Sequence, residues 1–201
     1  MKSNVCKIEK GTQDLEAILR ESEKFAAYNE LSHKQSLQLR LLCEEIDGLL
    51  PNVVEDFEGD IWFESEDGVC KVCISIELEK ITADKRDNLL ELSSKKGNAA
   101  AVGITGKIRS VAETLILTFI NKESLNDFAM SANAYHLSNG YSECVDHSYL
   151  WSLYQYRNNL EQKHTEAWDE LEKSVIASVA DDVIVGVKGN KAEIVIVKKF
   201  A

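Results

Sequence analysis

A helix-period segment near the C-terminus runs straight into two strand-period segments joined by a tight turn, and this succession constrains the fold more than any other feature of the chain. Trp168, Leu171, Val175, Ile176 and Val179 fall on one helical face, and Asp181-Asp182 ends the run. Two apolar strands follow, Val183-Ile184-Val185-Gly186-Val187 and Ile194-Val195-Ile196-Val197. Between them Lys188-Gly189-Asn190-Lys191 carries Gly-Asn at its centre, which tolerates the positive φ that a two-residue hairpin turn demands. Because Ile194, Val195 and Ile196 are apolar on both faces, the last strand is expected to lie inside a sheet rather than at its edge.

The same style of pattern opens the chain. A short strand is expected around Val5 to Ile8, then a helix from about Asp14 to Asn29 with Leu15, Ile18, Leu19, Ser22 and Phe25 on one face. A second helix from about Ser36 to Leu50 turns Leu39, Leu42, Ile46, Leu49 and Leu50 inward and stops at Pro51. Strands near Gly59 to Ser65 and Val69 to Leu78 flank the turn Glu66-Asp67-Gly68. Residues 81 to 160 read as mostly helical, with helices near Asp84 to Lys95, Lys107 to Ile120, Ser124 to Tyr135 and His147 to Leu160. An α-rich stretch between two sheet-forming parts reads as an insertion. With 201 residues, one proline and no linker-like composition, the expectation is a single domain over 1–201. Its fold class is an α/β (α+β) two-layer sandwich, with a mixed, mainly antiparallel sheet covered by helices on one face and the helical insertion at about 81–160.

Charge narrows the partners. The balance of 34 acidic against 23 basic residues gives a formal charge of −11, which repels phosphate backbones and anionic membrane surfaces, so neither nucleic acid nor a membrane is expected to bind. No stretch has the pattern of a signal peptide or approaches the roughly 18 apolar residues of a membrane span, and a cytoplasmic location is expected. Five scattered cysteines, Cys6, Cys43, Cys70, Cys73 and Cys144, fit a reducing compartment. Cys70 and Cys73 have the spacing of a metal or redox pair, but in a strand residues three apart point to opposite faces, so the two sulfurs should not share an ion. His33, His136, His147 and His164 are isolated among polar residues, and no nucleophile-elbow serine is present.

The order of strand, two helices, paired strands, variable helical middle, helix and closing hairpin resembles the ATPase fold shared by gyrase, the heat-shock chaperone, histidine kinases and bacterial anti-sigma serine kinases. The likeness is greatest to the anti-sigma branch and covers about residues 1–80 and 161–201. It implies a bacterial protein, an ATP site and a magnesium ion. In that family the second helix carries a Glu, the base, and four residues later an Asn that holds the metal. Here Glu45 in the Glu position sets Leu49 in the Asn position, and Glu44 would set Gly48 there; neither residue type binds a metal through its side chain. Asn52 lies beyond Pro51 and outside that geometry. Glu45 sits about 60° from Leu42, at the margin of the apolar face, where a partly desolvated carboxylate suits base chemistry or pairs with a cation, whereas Glu44 points outward.

The family's glycine motif after the central strand, whose Asp binds the adenine amino group, has no glycine in Ile81-Thr82-Ala83-Asp84-Lys85-Arg86-Asp87; Asp84 stands in by position alone. The stretch from Lys95 to Arg109 is glycine-spaced and basic and opens a helix with Ile108, Val111, Ala112, Leu115 and Phe119 on one stripe. It reads either as a capping loop or as an anion site, in which Gly103, Gly106, Lys107 and Arg109 would meet phosphates at the helix N-terminus. Gly106-Lys107 is not a P-loop, since Ile108 occupies the Ser/Thr position. Tyr149 to Arg157 combines aromatics with an Arg, either as an interface or as an insertion packed on its own domain. Together these residues lead to the expectation of a degenerate ATPase-like module that binds a protein partner without catalysis, with self-association open. The alternative is an ATP-dependent serine/threonine kinase of the anti-sigma type.

Overall fold

The computed structural model describes residues 1–8, 15–49, 58–77, 108, 148–161, 174–188 and 191–200. In chain order the elements are β1 (Cys6–Ile8), α1 (Leu15–Tyr28), α2 (His33–Leu49), β2 (Gly59–Glu66), β3 (Val69–Glu77), β4 (Ser148–Ser152), α3 (Leu153–Glu161), α4 (Val175–Val179), β5 (Asp182–Lys188) and β6 (Lys191–Lys199). The strands form one six-stranded sheet in the order β1-β2-β3-β6-β5-β4, and every described pairing is antiparallel. This is the expected α/β sandwich, with the C-terminal strand β6 inside the sheet, between β3 and β5.

Strand alternation separates two faces. Ile61 and Phe63 of β2 pair with Ile74 and Val72 of β3; these pair with Ile194 and Ile196 of β6, which pair with Val185 and Val183 of β5. All eight are buried in one cluster with Ile18 and Phe25 of α1, Leu39, Leu42 and Ile46 of α2, and Ile176 of α4. The rings of Phe25 and Phe63 meet at 5.5 Å between centroids, joining α1 to the sheet. The opposite face carries Asp60, Trp62 and Glu64 on β2 beside Ser75, Cys73 and Lys71 on β3.

Turn chemistry sets the joints. Asp67 (φ 48°) and Gly68 (φ 76°) are the two central residues of the β2–β3 hairpin, both left-handed as a type I′ turn requires. The pairing Lys188↔Lys191 makes β5–β6 a two-residue hairpin as well. After α1 the N–H of Leu31 bonds to Ala26 O and that of Glu30 to Ala27 O, a Schellman closure that places Glu30 (φ 53°) where glycine is usual. At Gly59 a Cβ would lie 2.8 Å from the Ser75 carbonyl oxygen, so this position of β2 demands glycine.

Two expectations near the C-terminus are corrected. The helix expected from His147 to Leu160 begins instead as edge strand β4, paired with β5 through a register shift between Tyr149 and Trp151. Ser152 then caps α3, its Oγ accepting from Gln155 N at 3.4 Å. Leu150 is thus in a strand, and the helix holds only Leu153 to Arg157 of that aromatic-Arg segment. The helix expected to continue from Trp168 through Val179 has a start at Val175, because Ser174 is extended (φ −79°, ψ 128°) and caps it through Ala177 N; residues 168–173 lie outside the described residues. That start buries Ile176 and Ala177 and leaves Val175 36% exposed, not inward as the longer helix implied. The expected helices at 84–95 and 124–135 lie outside the described residues, as does 107–120 except for Ile108, which is buried as its stripe suggested.

Candidate functional site

α2 places Glu45 as its helical angle indicates. Leu42 and Ile46 are fully buried, Glu45 is half-buried beside them, and Glu44 faces outward. Arg40 holds Glu44 through Nε at 3.0 Å and reaches Glu23 of α1 through Nη1 at 2.9 Å, a surface clasp across the two helices. Of the residues expected around a nucleotide or anion, only Glu45 can be placed: Asp84, Gly103, Gly106, Lys107 and Arg109 lie outside the described residues. The side chains of Gly48 and Leu49, at the family's metal position, are likewise outside them, although α2 itself continues through Leu49.

A cavity of about 330 Å³ lies elsewhere, between the α1–α2 turn, the β2–β3 turn and the end of β6. Glu30, Glu66 and Asp67 give it an acidic rim, Leu31 and Phe200 its apolar wall, and Cys70 lines it too. Asn29 knits it together: its Nδ2 donates to Phe25 O at 2.7 Å and its Oδ1 accepts from Ser65 Oγ. The positive φ of Glu30 and Asp67 follows from helix closure and hairpin turn, so backbone strain adds no chemistry here. Glu45, the one expected site residue that is described, does not line this cavity.

The cysteine pair behaves as strand parity requires. Cys70 is 3% exposed within the helix-covered core, while Cys73, 5% exposed, lies on the other face between Trp62 and Val195. Burial pushes both thiols up, Cys73 to about 12, where the carboxylates of Glu64 and Glu193 add to the effect; burial also lifts Cys43 to about 12. A thiol so far from ionisation is a poor nucleophile and a poor metal ligand. Among the described residues no three His, Cys, Asp or Glu side chains are grouped to hold a metal ion. Cys70 and Cys73 should therefore hold no zinc between them, and elemental analysis should give the same zinc content for the parent and for Cys70→Ser; a stoichiometric zinc lost in Cys70→Ser would overturn the parity argument.

Sequence reasoning missed the polar joints that hold the far edge of the sheet. Asp182, 3% exposed at the start of β5, accepts from Ser152 Oγ at 3.0 and 3.1 Å, from Tyr154 N at 2.9 Å and from its neighbour Val183 N at 2.8 Å. It thereby supplies the N-terminus of α3 with an acceptor from another element. Asp181 accepts from Lys199 N at 2.6 Å and pairs with Lys198 Nζ at 3.4 Å, anchoring β6. Arg157 Nη2 donates to Ala177 O at 2.6 Å and Leu153 is buried, so this aromatic-Arg segment packs on its own domain at these two residues. Trp151 meets Tyr156 with ring centroids 5.7 Å apart and tilted by 46°, and Tyr154 stays 49% exposed. The sequence signal was the Asp-Asp pair, which alone reads only as a helix terminator.

Glu21 of α1 is a further buried carboxylate. Burial pushes it up, but Asn4 N and Nδ2, both at 3.0 Å, and Lys24 Nζ at 3.3 Å outweigh that and hold it below the usual range, tying the N-terminal segment to α1. No helix among the described residues is long and apolar enough to cross a membrane. Neither a family model, nor a curated protein, nor a solved structure matches this chain.

Proposed function

We propose that this chain is a regulatory, protein-binding module of a bacterial cytoplasm, built on an ATPase-like sandwich and without catalysis of its own. The observation that carries this reading is α2: it runs as one helix through Leu49, so Gly48 and Leu49 occupy the positions one turn beyond Glu44 and Glu45 where the resembling family holds its magnesium through Asn. Phosphoryl transfer relies on charge neutralisation at the phosphates, normally by magnesium. Losing such a clamp costs several kcal/mol of transition-state stabilisation, on the order of a thousandfold or more in rate. The antiparallel sheet with helices on one face supports the architectural half of the proposal.

The test is a thermal-shift titration with ATP and ADP, with and without Mg²⁺, beside turnover of radiolabelled ATP. A ligand at 100 times its Kd adds roughly 2.7 kcal/mol of stability. No magnesium-dependent shift and no turnover above background are expected. Turnover that vanishes in Glu45→Ala and survives in Glu44→Ala would replace this reading with the kinase one.

A further inference from the structure

The outward side of α2 carries an arrangement that the core does not use. Leu39, Leu42, Cys43 and Ile46 face inward and are buried. On the opposite side Lys34, Leu37, Leu41 and Glu44 fall within an arc of about 80°. Leu37 is 46% and Leu41 41% exposed, large apolar side chains adjacent at i, i+4 on a solvent face. Lys34 is exposed and has no ion pair among the described residues. Glu44 is held in place by Arg40.

The spacing of these four residues reads the same in both directions, while the charges at its two ends are opposite. A helix turned end for end therefore complements itself. With a two-fold axis over Leu39, Lys34 meets Glu44 of the partner subunit, Leu37 meets Leu41 of the partner subunit, and each contact occurs twice. A parallel alignment would oppose Lys to Lys and Glu to Glu. We infer that this stripe is a self-association surface, on which a second copy of this chain docks its own α2 antiparallel across a two-fold axis. Isologous contacts of this kind are the commonest route to dimers. The 17-residue helix spans about 25 Å, and a single helix pair of that length lies at the low end of specific interface sizes, so the dimer is weak and exchanging. The inference is independent of the ATPase-like reading.

Sedimentation velocity on the full chain tests it between about 10 μM and about 1 mM, the range in which small interfaces dissociate. A shift from monomer to dimer with concentration is expected. Lys34→Glu and Glu44→Lys should each weaken the dimer about tenfold, since each turns two attractive contacts into two repulsive ones. The double variant Lys34→Glu/Glu44→Lys should recover the original affinity, because the swapped charges complement again. Cooperative melting of all three by circular dichroism, lowered at most by the small loss of the exposed Arg40–Glu44 pair, separates lost association from lost folding. A monomer at every concentration, single variants that associate as the parent does, or a double variant no stronger than the singles would each overturn the inference.

Discussion

Deleting residues 183–201 is expected to abolish the cooperative unfolding transition altogether. β6 is the partner of β3 along its whole length, from Val69↔Lys199 to Glu77↔Lys191, and β5 is the only described neighbour of β4. Without the terminal hairpin, Val72, Ile74 and Ile76 lose Ile196, Ile194 and Ala192 across the ladder, and β4 with α3 loses its attachment to the sheet. Val183, Val185, Ile194 and Ile196 are all essentially buried. At about 1.5 to 3 kcal/mol for each fully buried side chain, these four contribute about 6 to 12 kcal/mol. The total stability of a domain is about 5 to 15 kcal/mol, so the remainder cannot hold a native state. Urea titration followed by circular dichroism checks this: the truncated chain should lose signal gradually, and a transition like that of the full chain would refute the central role of β6.

That strand was legible because its cause is local. Val195 between Ile194 and Ile196 leaves no polar face, and Gly189-Asn190 permits a two-residue turn, so centrality and pairing could both be read from adjacent residues. The β2–β3 hairpin was legible for the same reason, with Asp67-Gly68 at its turn. α2 followed from the period of Leu39, Leu42 and Ile46. β4 failed because Ser148-Tyr149-Leu150-Trp151-Ser152 suits either period, and pairing with β5, a partner thirty-odd residues away in sequence, decides between them. At Ser174 the cap signal was present, but the apolar run across it read as one helix. Of the candidate site, the orientation of Glu44 and Glu45 was readable because helix geometry fixes side-chain angle from spacing. The joints made by Asp181 and Asp182 were not, because each acts on a backbone group of another element, and spacing along one element carries no such information.

Asp182→Ala is expected to cost about 2 to 4 kcal/mol, because it leaves the buried N–H of Val183, the part-buried N–H of Tyr154 and the hydroxyl of Ser152 without their acceptor, and each unsatisfied group costs about 1 to 3 kcal/mol before water or rearrangement repairs part of it. Asp182→Asn keeps a carbonyl oxygen for the backbone donors and an amide for Ser152, and should lose less than about 1 kcal/mol at neutral pH. The two variants therefore separate hydrogen-bond geometry from charge. Burial pushes the Asp182 carboxyl above its usual range, against the opposing pull of the bonds from Tyr154, Ser152 and Val183. A carboxyl with a folded pKa above its unfolded value, about 3.9, takes up its proton more readily in the native state. Its contribution to stability is then greatest below the unfolded pKa and declines as pH rises through the folded pKa. Wild type should accordingly hold its largest advantage over Asp182→Asn near pH 3.5, with the gap narrowing toward pH 7, at equal m-values in urea. A gap that widens with pH would mean that the three hydrogen bonds outweigh burial, and the carboxylate would then be the favoured form at the start of β5.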